Sequence, residues 1–247
     1  MRTLSILFVG ATVLMCVPVG QAASSLDVTL GSLFTENDII WGGYLSGSWA
    51  VAGNDSISQD ASEFLPQAGT TADAAVTGAD AGASALTQEG MVRAVVSATT
   101  GPGSSAAYAY AEQTIWFATE SDADLQFDME YAITRLLSSQ SNETAFADAS
   151  VALSLHREGG LMDTMEDDVL IDEATVYLWD FVEDGDSLSL GTGDTLSVSG
   201  SFTSQETGYL WLRVDGQATA AAIPAPGALL LGAIGTGWIG YLRRRFL

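Results

Sequence analysis

His156 is the only histidine and Cys16 the only cysteine. Those two counts bound the nucleophilic and transition-metal chemistry open to the chain. A Ser-His-Asp triad would have to use His156, and no Gly-x-Ser-x-Gly elbow accompanies it. His156 closes an alternating apolar and polar stretch beside Arg157, where an exposed strand-end histidine is expected. A site built from clustered His and Cys ligands has no sequence support. Carboxylates, by contrast, are abundant, so a pair suited to glycoside hydrolysis has no diagnostic value here. Glu112, Asp128 and Glu130 alternate with apolar residues, which accounts for them as solvent-facing strand positions. No catalytic residue emerges, and the chain reads as a non-enzyme.

Three acidic stretches gather the hard oxygen donors that calcium prefers. They are Asp163, Glu166, Asp167 and Asp168; Glu183, Asp184 and Asp186; and Glu120, Asp122 and Asp124. None has EF-hand spacing. Each reads either as a calcium loop or as a solvated acidic turn, and no other cofactor is expected. Trp41, Tyr44 and Trp49 form an aromatic group that would stack on sugar rings if exposed. Aromatics on strands more often fill cores, so the core is expected for them, and equally for Trp116, Trp179 and Trp211.

Strands must carry these residues. From Met91 to Val214 the dominant pattern is a period of two. In "LQFDMEYAIT", Leu125, Phe127, Met129, Tyr131 and Ile133 share one face. In "AFADASVALSL", Ala145, Ala147, Ala149, Val151, Leu153 and Leu155 do the same with smaller residues. Turn clusters rich in Gly, Asp, Asn and Ser separate the alternating runs, as in "SSQSNE", "EDGDS" and "TSQE". Many such strands imply an all-β body, an antiparallel β-sandwich of jelly-roll-like kind, over residues 23–217. Residues 54–90 are rich in Ala, Gly, Thr, Ser and Asp. That composition reads as a low-complexity loop or insertion, with small-residue strands as the alternative.

Charge narrows the partners. The 247-residue chain carries 8 basic and 31 acidic residues, a net charge of −23, and no lysine. Four of the arginines lie outside the span from Asp27 to Asp215, which holds every acidic residue. Such a polyanion is unsuited to nucleic acid, whose phosphates need cations. It suits a soluble protein in a salty or crowded exterior.

Both ends carry address labels. "MRTLSILFVGATVLMCVPVGQAASS" has one positive charge, an apolar run and then small residues. This is the layout of a signal peptide over residues 1–22, expected to form a helix and to be cut by signal peptidase after Ala22. Cys16 would leave with the leader, so the mature chain needs no disulfide. At the other end, no residue from Gly227 to Leu242 is charged. A helix there would be roughly 24 Å long at about 1.5 Å per residue, short for a bilayer core of about 30 Å. Arg243, Arg244 and Arg245 follow at once and mark the cytoplasmic side. Snorkelling arginines extend the reach of the segment as a single transmembrane helix.

A Pro-x-Pro-Gly motif, a short apolar helix and an arginine cluster resemble the PEP-CTERM sorting signal of bacterial surface and exopolysaccharide-associated proteins. The matching positions are the motif Pro224, Ala225, Pro226 and Gly227, the apolar run, and the basic stop Arg243 to Arg245, within a tail over residues 218–247. Ala225 stands where the family's eponymous pattern has glutamate. The resemblance implies an exosortase-like membrane enzyme as a partner that processes the chain near the prolines. A permanent membrane anchor is the alternative. With the charge pattern, it implies an exported protein at the cell surface or in the extracellular matrix. The expected role is structural or adhesive and linked to exopolysaccharide; the alternative is a carbohydrate-binding module or glycoside hydrolase carried by the same tail.

Overall fold

The computed structural model describes residues 21–35, 39–54, 58–67, 69–75, 80–100, 103–159 and 168–222. Among them every regular element is a strand: β1 (Ala23–Phe34), β2 (Ile39–Asn54), β3 (Ser58–Leu65), β4 (Thr70–Ala75), β5 (Ala81–Gln88), β6 (Met91–Thr99), β7 (Ser105–Thr119), β8 (Ala123–Ser138), β9 (Glu143–Arg157), β10 (Val169–Glu183), β11 (Ser187–Phe202) and β12 (Thr207–Ala222). They form two antiparallel six-stranded sheets, ordered β11-β8-β1-β6-β5-β4 and β10-β9-β12-β7-β2-β3. The sheets face each other across one apolar core, a β-sandwich. Both expected terminal helices, 1–22 and 227–242, fall outside the described residues apart from Gln21 and Ala22. Among the described residues no helix is long and apolar enough to cross a membrane.

Alternation sets which face each strand buries. Leu125, Phe127, Met129 and Ile133 of β8 are buried, as are Ala145 through Leu155 at every second position of β9. Side-chain size is graded along the strands and matched across them. Ala145, Ala147 and Ala149 pair with Ala220, Ala218 and Gly216, whereas Val151, Leu153 and Leu155 pair with Val214, Leu212 and Leu210. The opposite sheet fills the thin end with bulk: Leu26 of β1 comes within 3.1 Å of where a Gly216 Cβ would stand. Large against small is how facing layers interdigitate without voids.

The stretch read as a loop or insertion over residues 54–90 contains β3, β4 and β5. Its small residues obey the period of two, with Ala81, Ala83 and Ala85 buried. Low bulk hid the pattern, because alanine opposite serine and glycine gives little hydropathy contrast. In β2, a bulge between Trp41 and Tyr44 absorbs Gly42 and Gly43 and keeps both aromatics on the inner side. Arg135 is buried on the inner face of β8, and its NH1 reaches Asp180 of the edge strand β10 in the other sheet. The expected cleavage point, Ala22, is buried; its N–H donates to Thr100 Oγ1 at 2.9 Å and its carbonyl accepts from the Thr100 N–H at 2.9 Å.

Candidate functional site

The outer face of the sheet containing β12 departs from the rule that outward positions are polar. Register lines its residues into rows across five strands. One row runs Tyr177, Ser150, Asp215, Tyr110, Trp49 from β10 to β2. The next runs Trp179, Asp148, Gln217, Tyr108, Val51. On the other flank lie Thr175, Ala152, Arg213, Glu112 and Gly47. From Tyr177 to Trp49 is four interstrand spacings, about 19 Å at about 4.8 Å each.

Aromatic rings cover much of this face and remain open to solvent. Trp179 is 61% exposed, Tyr177 59%, Phe181 48% and Trp49 40%. Trp49 packs edge-on to Tyr108, with centroids 5.2 Å apart. Phe64 of β3, 57% exposed, lies over Gly47, where a Cβ would come within 2.3 Å of the ring. Only glycine admits that ring beside the backbone. Trp116 and Tyr209 continue the face further along β7 and β12, 6.2 Å apart.

Between the rings lies a polar network. Asp215 accepts from Tyr108 OH at 2.7 Å, Ser150 Oγ at 2.9 Å and twice from Arg213, at 2.9 and 3.1 Å. Glu112 accepts from Tyr110 OH and from Trp211 Nε1 at 3.0 Å. The Arg213 guanidinium lies over the Tyr110 ring at 5.0 Å and the Trp211 ring at 5.9 Å, so its stem and charge are both occupied. Burial, followed by hydrogen bonding to the carboxylates, raises the Tyr108 and Tyr110 phenols well above their ordinary value. They act as neutral donors. Asp148 differs: it accepts from Tyr177 OH at 3.3 Å, and burial together with nearby Asp215 raises its pKa against that hydrogen bond.

The expectation that the tryptophans fill the core is overturned. Trp179 points to solvent, Trp116 and Trp211 are half-buried on the outer face, and Trp49 is exposed. Trp41 does touch Phe117 and Phe127 of the core, at 6.3 and 6.2 Å, yet remains 38% exposed at its margin. The cause is a strand with two apolar phases. In "ATVYLWDF" the inner set is Ala174, Val176 and Leu178 and the outer set is Tyr177, Trp179 and Phe181. Hydropathy alone cannot choose between such sets.

His156 is half-buried on the same outer face, not an exposed strand end. It stacks on Tyr209, with centroids 4.6 Å apart and planes 5° from parallel, and its Nε2 shares a 2.9 Å hydrogen bond with Ser154 Oγ. Burial lowers its pKa, against the opposing pull of Asp168 and Glu173. Ser154 is itself buried, with Trp211 and Glu173 as its cross-strand neighbours, which closes off the approach a nucleophile needs. Glu112 lies on this face while Asp128 and Glu130 lie on the outer face of the other sheet, so the three share no cleft.

Acidic turn residues have structural employment. Asp184 and Gly185 take positive φ, 53° and 96°, in a turn closed by Asp186 N–H donating to the Glu183 carbonyl at 3.1 Å. Asp184 also accepts from Asn142 N–H at 3.3 Å. Asp122 and Asp124 accept from Ser204 N–H and Ser201 Oγ at 2.8 and 2.6 Å, and Glu120 offers its carbonyl to Ser204 Oγ. Asp168 accepts from Gly159 N–H and Tyr209 OH, each at 3.0 Å. Among the described residues no three His, Cys, Asp or Glu side chains converge to hold a metal ion. Asp163, Glu166 and Asp167 lie outside the described residues, as do the motif Pro224 to Gly227 and Arg243 to Arg245.

No family model matches the chain. No curated protein matches it either. Among solved structures, the N-terminal CBM22-1-CBM22-2 tandem domain of Paenibacillus barcinonensis Xyn10C aligns at 6% identity over 81% of this chain and 78% of that one, with a TM-score of 0.16. A vicilin from Solanum melongena aligns at 6% identity over 80% and 70%, with a TM-score of 0.13. Scores this low carry neither fold nor function.

Sequence reasoning missed Tyr108, Tyr110, Asp148, Tyr177, Phe181, Arg213 and Asp215 as members of one surface. A signal existed in "SAAYAYAEQ". There alanine occupies the phase that becomes the core and tyrosine the other, the reverse of bulk inside.

Proposed function

We propose that this chain is an exported β-sandwich protein of the cell surface or extracellular matrix, with an adhesive role exerted by holding polysaccharide on the outer face of the sheet centred on β12. One observation carries the reading: exposed rings of Trp179, Tyr177, Phe181, Trp49 and Phe64 share a single face with carboxylate, amide and phenol groups between them. Rings stack on the apolar faces of sugars and the polar groups between them meet hydroxyls, which is the ligand chemistry such a surface fits. A patch of aromatics held open to water marks an interaction site rather than a folding requirement. Export is supported by the leader-like first 22 residues, the absence of lysine and the PEP-CTERM-like tail. On this reading the tail delivers the body and an exosortase-like enzyme trims it near Pro224 to Gly227.

The test is pull-down of the purified chain on insoluble polysaccharides together with a glycan array, run beside a Tyr177→Ala/Trp179→Ala double variant. Saturable binding without release of sugar, lost in the double variant, supports the proposal. Binding that the double variant retains, or product release, overturns it.

A further inference from the structure

The face has rings at both ends, but its charge is one-sided. Each of the four arginines among the described residues is already paired with a carboxylate: Arg93 with Asp27, Arg135 with Asp180, Arg157 with Glu206 and Arg213 with Asp215. The chain has no lysine. On the aromatic face Arg213 lies across from Glu112 in register yet turns along its own strand to Asp215. Among the described residues no arginine pairs with Glu112 or Asp148, and an acidic polymer laid on this face would meet carboxylates with no free cation beside them.

Asp148 is where this matters most. It stands between Trp179 and Gln217 in its row, with Tyr177 one row away donating at 3.3 Å. Two largely exposed rings thus flank a carboxylate that the protein itself neutralises poorly. Burial and nearby Asp215 disfavour its charge, against the Tyr177 hydrogen bond that favours it. Ammonium groups are attracted to aromatic faces and to carboxylates alike, and here both point to the same place.

We propose that the glycan held on this face is an amine-bearing one, a hexosamine polymer with free amino groups, whose ammonium docks at Asp148 between Tyr177 and Trp179. This rests on the polysaccharide-binding reading above and narrows it to one class. Exposed rings alone would take any sugar with an apolar face. The uncompensated carboxylate selects for positive charge and selects against uronic acid polymers.

The experiment is calorimetric titration of the purified chain, at low salt, with three probes of equal length: a deacetylated glucosamine oligomer, its fully N-acetylated counterpart and a uronic acid oligomer. The deacetylated oligomer should bind about tenfold more tightly than the N-acetylated one, the size expected of one desolvated ammonium contact with carboxylate and ring. Asp148→Asn should cut that preference to about twofold, and added salt should weaken the wild-type preference. Thermal unfolding of the variant checks that it is folded. Equal affinity for the first two probes would overturn this inference while leaving polysaccharide binding intact. Binding to none of the probes or to any array glycan would remove both. Tight binding of the uronic acid oligomer, with or without calcium, would overturn the charge argument specifically.

Discussion

Arg213 and Asp215, two positions apart on the outer face of β12, grip each other through two hydrogen bonds, Nε to Oδ2 at 2.9 Å and NH2 to Oδ1 at 3.1 Å. Residues i and i+2 of a strand share a face, so the pair forms within one strand. Asp215 also accepts from Tyr108 and Ser150, on the strands to either side. The pair is the hub that ties β7, β12 and β9 together on the solvent side.

Arg213→Ala should therefore remove a half-exposed cation and its ring contacts, costing about 1 kcal/mol. Urea unfolding measures that loss. The same variant leaves the face more acidic, so its binding of a cationic glycan should not fall in step with its stability.

The Arg135–Asp180 pair lies much deeper. It pins an edge strand of one sheet to an inner strand of the other, and Arg135 NH2 also donates to Thr192 Oγ1 at 3.3 Å. Nε of Arg135 is buried without a hydrogen-bond partner. Arg135→Ala should cost about 3 kcal/mol by stranding Asp180, whereas Arg135→Met with Asp180→Leu should come within about 1 kcal/mol of wild type. Chemical denaturation of the three proteins distinguishes a needed charge from a needed volume.

Two groups give opposite pH dependences. His156, faced by Ser154, Tyr209, Asp168 and Glu173, has its pKa pushed below its ordinary value near 6.5, chiefly by burial. The unfolded chain then takes up the proton first, so stability present above that value is lost as pH falls through it. His156→Gln should flatten this part of the profile. Asp148 is raised above 3.8, chiefly by burial and further by Asp215, against the Tyr177 hydrogen bond. Its folded form holds the proton more readily, so its contribution is present at low pH and lost as pH rises through the folded pKa. Asp148→Asn should be as stable as wild type or more so at neutral pH, and should show no such gain in acid. Thermal unfolding across pH measures both.

Two glycines should respond differently to alanine. At Gly208 a Cβ would meet Phe117 Cζ at 2.7 Å, the His156 carbonyl at 2.8 Å and Phe202 at 2.8 Å, all held in place. At Gly47 the three nearest atoms all belong to the exposed ring of Phe64. Gly208→Ala should destabilise by about 2 kcal/mol or more, as overpacking does, while Gly47→Ala should cost about 1 kcal/mol or less and swing Phe64 away. Denaturation midpoints test the first statement and glycan binding the second.

The all-β body was legible wherever one phase of a strand was apolar and the other polar, as in β8 and β9. Along β4 and β5, where alanine supplied the buried phase, the sequence allowed either a loop or small-residue strands, and at β10 the strand was legible but its inner face was not, because both phases were apolar. The aromatic face was hidden for a related reason. Aromatic residues carry the same hydropathy whether they fill a core or wait for a ligand, and what separates the two is register with neighbours distant in sequence. Trp49 meets Tyr110, and Trp179 meets Asp148, only after β2 has found β7 and β10 has found β9.

Strand order also fixes when the body can exist. β1 sits between β8 and β6, and β12 between β9 and β7, with Leu26 of one packed against Gly216 of the other. The earliest and latest strands of the sandwich are thus both interior ones. A chain emerging from its N-terminus leaves β9 and β7 each with one of its two pairing edges unfilled until β12, Thr207–Ala222, has appeared. Until that strand pairs, the sandwich cannot close, and the Ala22–Ala23 backbone that it buries stays accessible to solvent.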